Sequence, residues 1–214
     1  MALSKVVNNS IESVDAAKLS GTIADARFPA TLPAISGANL TNMASGGAWN
    51  VLSSGTFSSV SSVDITGITK TTRIIISCNS STSDWMRSRF STDNGTTFES
   101  GNLYSYAQIS NAGSSSASIK RQSQNDPYFY TNLAPFTGND VEKQTFNYDI
   151  TIYDPADTAA YTGMFLKEVA MSDHLSTHHT TMTGFWRDIT AVNAFSLYRN
   201  SGSISGSYVA TELN

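Results

Sequence analysis

Phe146, Tyr148, Ile150 and Ile152 fall on alternate positions of the stretch Gln144–Tyr153, separated by Asn147, Asp149 and Thr151. A period of two puts every second side chain on one side of an extended backbone, so this stretch is predicted to be a strand with one apolar face. Similar short apolar spacing recurs from Trp49 onward, with strands predicted at 51–57, 60–65, 73–79 and 85–90. Asp93, Asn94 and Gly95 make a tight turn after the fourth. Further strands are predicted to begin at Tyr104 and to run over 118–121, 162–169, 180–186, 194–198 and 206–213. The Ser-Gly pairs at Ser201-Gly202 and Ser205-Gly206 are expected to close the last of these into a hairpin whose final strand packs in the sheet. Only Asp154 to Tyr161 suggests a helical turn. Roughly ten strands are more than one open antiparallel sheet comfortably holds, so two sheets packed face to face are expected.

The surface expected for such a fold is polar but largely uncharged. Lys and Arg number 13 against 17 Asp and Glu, a net charge of −4 with only 14% charged residues. Ser, Thr and Asn supply the polar positions instead, in a pattern that suits the solvent side of strands. Without a broad basic field, nucleic acid and acidic lipid are not expected partners. The single cysteine, Cys78, cannot form an intrachain disulfide and follows Ile74, Ile75 and Ile76 on a predicted buried strand, so a packed thiol is expected. No stretch approaches the ~18 consecutive apolar residues of a membrane span, and the N-terminus reads as no secretory leader, so an external protein would leave its cell by lysis or as part of a particle.

The texture changes between Ala44 and Trp49, which divides the chain into residues 1–48 and 49–214. The first part carries isolated apolar residues among Gly, Pro and small side chains, too sparse for a core of its own. Leu19-Ser20-Gly21 and Ile35-Ser36-Gly37 repeat one phrase at a spacing of 16 residues, with Ile23 and Leu40 as second apolar positions. Pro29 and Pro33 favour extended backbone. Such side chains can be buried against parallel copies of the same segment around a three-fold axis; a flexible linker is the other reading.

The phrase from Leu19 to Thr41 resembles the connecting segments of phage tail-fibre and related virion fibre proteins. The stretches Ile189–Tyr198 and Gly202–Tyr208 are similar to the closing strands of fibre-tip β-sandwich domains. That resemblance implies a homotrimer whose N-terminal part attaches to other virion tail or head proteins and whose C-terminal domain faces outward, often to bind a host-surface glycan or protein. The expected fold is therefore all-β: a two-sheet antiparallel β-sandwich, jelly-roll-like, preceded by an extended N-terminal trimerising segment with Leu19, Ile23, Ile35 and Leu40 at its contacts.

Asn125, Asp126, Tyr128 and Tyr130 are the candidate ligand-binding residues. Three consecutive aromatics, Tyr128, Phe129 and Tyr130, cannot all enter one core from a strand; a flat ring can stack on the CH face of a sugar while amide and carboxylate groups meet its hydroxyls. The competing structural reading has the tyrosines covering a loop or neighbouring subunit while Phe129 plugs the core. Arg87 and Arg89 share one face of their strand and call for an acidic partner, either a cross-strand carboxylate or an anionic glycan. Trp85 and Trp186 could likewise offer a stacking ring, though each is read within a strand, where such a ring is more often packing. His174, His178 and His179 lie within six positions. They are weak candidates for a metal, because no helical His-Glu-x-x-His phrase or paired cysteine accompanies them.

No cofactor fingerprint or phosphate-cradling loop occurs. Asp84, Asp93, Glu99, Asp126, Asp140, Asp149 and Asp154 could supply an acid pair for glycan hydrolysis, but most of them adjoin turns or Asn, Ser, Gly and Pro, where Asp caps backbone amides. The sequence thus reads as a non-enzymatic virion adhesion protein. The alternatives are a decoration protein bracing virion subunits and a tail-associated polysaccharide depolymerase.

Overall fold

A computed structural model describes residues 48–82, 84–112, 118–131, 145–171 and 177–214. The chain divides between Gly46 and Gly47, and every described residue lies on the C-terminal side. Leu19, Ile23, Ile35, Leu40, Asp140 and His174 fall outside the described residues.

Twelve strands occur among the described residues: β1 (Trp49–Val60), β2 (Ser62–Thr66), β3 (Thr72–Ser80), β4 (Met86–Ser91), β5 (Tyr104–Ala112), β6 (Ser118–Asp126), β7 (Phe129–Tyr130), β8 (Thr145–Tyr153), β9 (Thr162–Met171), β10 (Thr177–Trp186), β11 (Ala194–Arg199) and β12 (Ile204–Leu213). They form two antiparallel sheets. The larger has the order β1-β12-β3-β8-β9-β10-β5-β6, the smaller β2-β11-β4-β7. The all-β, two-sheet expectation holds. No helix forms at Asp154–Tyr161; that segment is a turn in which Asp154 takes a positive φ of 49°.

Period two accounts for the core. In β8, Phe146, Tyr148, Ile150 and Ile152 are buried as the alternation requires, and they meet Ile74, Ile76 and Cys78 of β3 in the direct register Ile74↔Ile150, Ile76↔Tyr148 and Cys78↔Phe146. Burial of side chains this size stabilises by about 1.5–3 kcal/mol each. It also pushes the Cys78 thiol up to about 12, which leaves it a packed, unreactive group. From the smaller sheet Val63, Ile65, Phe90, Phe129, Phe195 and Leu197 face the same cluster. Phe129 joins the layers: its ring lies edge-on to Tyr104 at 4.8 Å and to Phe90 at 5.7 Å. Gly184 in β10 makes room for it, since a Cβ there would sit 2.5 Å from the Phe129 ring.

Tyr104 ties the two sheets through its hydroxyl, which accepts the Phe90 backbone N–H at 3.0 Å and donates to the Glu99 carbonyl at 3.1 Å. The first of those bonds satisfies a backbone N–H of β4 beyond the two residues where β7 pairs with it. Among the described residues one carboxyl is fully enclosed. Glu168 in β9 is 1% exposed and accepts a hydrogen bond from the Tyr148 hydroxyl at 3.2 Å. Burial outweighs its hydrogen bonds from Thr180 and Tyr148 and lifts it to about 8.

The expected final hairpin does not form. β11 belongs to the smaller sheet and β12 to the larger, so the turn at Gly202, with φ of 79°, carries the chain across the sandwich rather than back along one sheet. Gly206 is not a turn residue; it lies inside β12, opposite Cys78. The last strand is nevertheless internal, hydrogen-bonded to β1 on one side and β3 on the other.

Candidate functional site

The outward face of the smaller sheet follows from its register. Phe90 and Ser88 pair with Phe195 and Leu197 on the core side, which turns Arg87 and Arg89 outward beside Tyr198 and Ser196. On the far side of β11, Ser62 pairs with Tyr198 and Asp64 with Ser196; on the far side of β4, Tyr130 pairs with Arg87. One row across the face reads Ser62, Tyr198, Arg87, Tyr130, and the next reads Asp64, Ser196, Arg89.

Arginines and aromatic rings interleave on this face. The Arg87 guanidinium stands 4.9 Å from the centre of the Tyr128 ring and 5.7 Å from that of Tyr130. Arg89 lies 5.6 Å from Tyr128 and 5.0 Å from Tyr198. Arg121, reaching over from β6, sits 3.8 Å above Tyr130 and 5.9 Å from Trp85. Distances under ~6 Å allow cation–π attraction. Trp85 precedes β4 rather than lying in it, and its ring meets Tyr130 edge-on at 5.4 Å. The Tyr128 and Tyr130 rings are themselves edge-to-face at 4.7 Å, with their hydroxyl oxygens 2.8 Å apart.

Charge on this face is unevenly matched. The Arg87 side chain is 9% exposed, and its nearest carboxylate contact is a long 3.8 Å from Nη2 to Asp84 Oδ1. Its Nε and Nη1 are buried and have no hydrogen-bond partner among the described residues. Asp84 is occupied elsewhere, accepting the backbone N–H groups of Trp85, Asn200 and Ser201. Burial alone would raise the Asp84 carboxyl; those bonds and the charges of Arg87 and Arg199 outweigh it and hold the group below its ordinary range. Arg89 Nε donates to the neutral carbonyl of Pro127 at 3.2 Å. Arg73 on the larger sheet is the contrast, with Nε and Nη2 bound to the two oxygens of Asp149 at 2.9 and 2.8 Å.

The Tyr128 and Tyr198 phenols stay protonated at neutral pH. Burial pushes Tyr198 up to about 12 against the opposing pull of Arg89, and burial followed by the bond to Tyr130 raises Tyr128. A cleft of about 230 Å³ opens over Asp64, Arg89, Phe98, Ser196 and Tyr198. Asp64 forms its acidic wall, accepting the Ser196 hydroxyl at 2.6 Å and the Ser62 hydroxyl at 3.3 Å. The face thus offers fixed positive charge, neutral hydroxyls, ring surface and one carboxylate within a shallow polar groove.

Of the residues singled out in the sequence, Tyr128 and Tyr130 lie in this cluster, beside Arg87 and Arg89. Asn125 instead accepts a hydrogen bond from Arg187, and Asp126 accepts the Tyr106 hydroxyl at 2.7 Å; both oxygens brace the β5–β6 end of the larger sheet. Tyr198, Arg121, Asp64 and Ser196 were not foreseen as members of the site. Tyr198 and Ser196 do alternate in their strand, which signals a shared face but not its neighbours. Trp186 is a buried packing residue.

His178 and His179 are consecutive on β10 and therefore point to opposite sides of the sheet, which prevents the two from chelating one ion locally. Among the described residues no group of three or more His, Cys, Asp or Glu is placed to hold a metal. Asp84 accepts backbone amides, as the capping reading of such carboxylates expects, whereas Asp149 lies within β8 and is committed to Arg73 in a cross-strand ion pair. No family model, curated protein or solved structure matches this chain.

Proposed function

We propose that this chain is a non-enzymatic virion fibre protein whose β-domain adheres to a host-surface glycan through the outward face of the smaller sheet. The observation that carries the adhesion reading is the pairing of half-buried Tyr128 and Tyr130, hydroxyl to hydroxyl, beside two outward arginines. Rings held this way offer a sugar both a stacking surface and hydrogen-bonding edges at little cost in side-chain entropy. The likeness of the Leu19–Thr41 phrase to fibre connecting segments supports the virion part, with assembly in the host cytoplasm and release by lysis.

The same reading makes the domain a jelly roll with two insertions. The orders β1-β12-β3-β8 and β2-β11-β4-β7 are two four-stranded layers between which the chain alternates. The paired strands β5–β6 and β9–β10 then extend the larger layer. Three such domains held on one stalk by Leu19, Ile23, Ile35 and Leu40 would gain residence time on a repetitive polymer even if each site is weak.

Two measurements test this. On an array of bacterial capsular and lipopolysaccharide glycans the full chain should bind, and Tyr128→Ala should weaken that binding about tenfold, the equivalent of roughly 1.4 kcal/mol. Equal binding by both proteins, or no glycan bound at all, overturns the adhesion reading. By light scattering the full chain should have the mass of three copies; a stable monomer at micromolar concentration rejects the stalk assignment.

A further inference from the structure

We infer that the cleft between Asp64 and Arg89 takes an acidic sugar, a polysaccharide residue bearing a carboxylate or sulfate whose anionic oxygens meet Arg89 while a neighbouring hydroxyl donates to Asp64. The inference rests on the adhesion reading and narrows it to one class of ligand.

Arg87 and Arg89 are two positions apart on one strand face, about 7 Å between Cα atoms at strand rise, so their charges repel through a partly desolvated surface. Among the described residues no close carboxylate neutralises them. Arg87 has the 3.8 Å approach of Asp84 and two buried nitrogens without partners; Arg89 donates to a peptide carbonyl. The bidentate Arg73–Asp149 pair shows how the same chain satisfies an arginine that needs no ligand. The unmet positive potential is aimed outward, with Arg89 lining the cleft and Arg87 beneath the Tyr128 ring adding charge from below. An anion at Arg89 therefore replaces repulsion between like charges with attraction to both.

Asp64 decides what kind of anion fits. It lies in the same row as Arg89, across Ser196, and lines the same cleft. A bare inorganic anion or a nucleic-acid phosphate is repelled by this carboxylate. A sugar carrying both an acid group and free hydroxyls uses it, because the hydroxyl donates where the anion cannot. Asp64 Oδ2 has room for that bond, its contact with Ser62 being a long 3.3 Å. The rings of Tyr198 and Tyr128 beside Arg89 supply apolar surface for the sugar's CH face.

The test is binding of the full chain to polygalacturonate (carboxylate), dextran sulfate (sulfate ester), neutral dextran and single-stranded poly(dT), each at low and high NaCl. At least one acidic polysaccharide should bind tenfold or more tighter than neutral dextran and poly(dT), and weaken several-fold at high salt. Arg89→Gln should remove that preference with an unchanged melting temperature. Asp64→Ala is the sharper variant. Simple charge attraction predicts tighter binding when a carboxylate is removed, whereas loss of a hydroxyl acceptor predicts weaker binding, which is the expected result. Tighter binding by Asp64→Ala, indifference to Arg89→Gln, or poly(dT) bound as well as the acidic polymers overturns the inference. Binding of neutral array glycans with none of the acidic polymers overturns it too and leaves the adhesion reading standing; absence of all glycan binding overturns that reading itself.

Discussion

Gly206→Ala should cost at least about 3 kcal/mol and lower the melting temperature by roughly 6–12 °C, the conversion for a domain of this size. Gly206 sits in β12 between Phe57 of β1 and Cys78 of β3. A Cβ at this position would meet the Cys78 Cα at 2.7 Å and overlap the Ser77 carbonyl oxygen. Both obstacles are backbone, so no rotamer change relieves them and a strand in the middle of the larger sheet has to shift. The neighbouring ladder is already irregular, with a bulge where Phe57 and Val60 of β1 pair with Gly206 and Ile204. Gly163→Ala is the matched control. Its Cβ would meet Phe185 at an ordinary 3.5 Å, and the change should stay within about 1 kcal/mol. Thermal melts of the two variants that coincide would show that the close approach at Gly206 carries no such constraint.

Stability should fall as pH rises from about 4.5 to about 8, and Glu168→Gln should abolish that fall. The carboxyl, ordinarily near 4.5, is lifted to about 8 by burial in the native state. Between those values the folded protein keeps a proton that the unfolded chain has released, so each step up in pH favours unfolding. The stabilising contribution is complete below the lower value and gone above the higher, a loss on the order of 5 kcal/mol at about 1.4 kcal/mol per unit. Burial lowers His178, which tilts the curve the opposite way near its own range, so the difference between wild type and Glu168→Gln isolates the carboxyl. Glutamine keeps the shape and an oxygen to accept the Tyr148 hydroxyl while removing the titration. Urea midpoints at pH 5, 6.5 and 8 should diverge, with the variant the more stable at pH 8. Parallel curves would mean that Glu168 reaches water.

How far the sequence could be read depends on which physical signal each feature carries. The Phe146 to Ile152 alternation is local, complete within one strand, and it maps directly onto the buried face of β8. The smaller sheet is different. β11 is buried on nearly every residue and β7 is two residues long, so neither presents a period that a window can detect. The arginine pair was visible because Arg87 and Arg89 are neighbours in sequence; Asp64 and Ser196 are separated by 132 residues and meet only through strand pairing. The mistaken hairpin has a similar cause. A Ser-Gly turn serves equally to reverse a strand within one sheet or to cross between two, and only the destination of β12 distinguishes them. Within the aromatic run, the structural reading of Phe129 as a core plug holds; Tyr130 turns to the arginines because a strand sends consecutive residues to opposite faces, and Tyr128, just before β7, meets the same arginines.

The position of β12 has a consequence for biosynthesis. Trp49 and Leu213 face each other at one end of the β1–β12 ladder, so the first of the described strands waits for the last of them before it acquires a neighbour in the larger sheet. Until Ile204–Leu213 has emerged, β1 and β3 each offer a bare edge to other nascent chains on the same polysome. The larger sheet is therefore completed only when β12 is available, and a product truncated at the β11–β12 turn would be prone to edge-to-edge association.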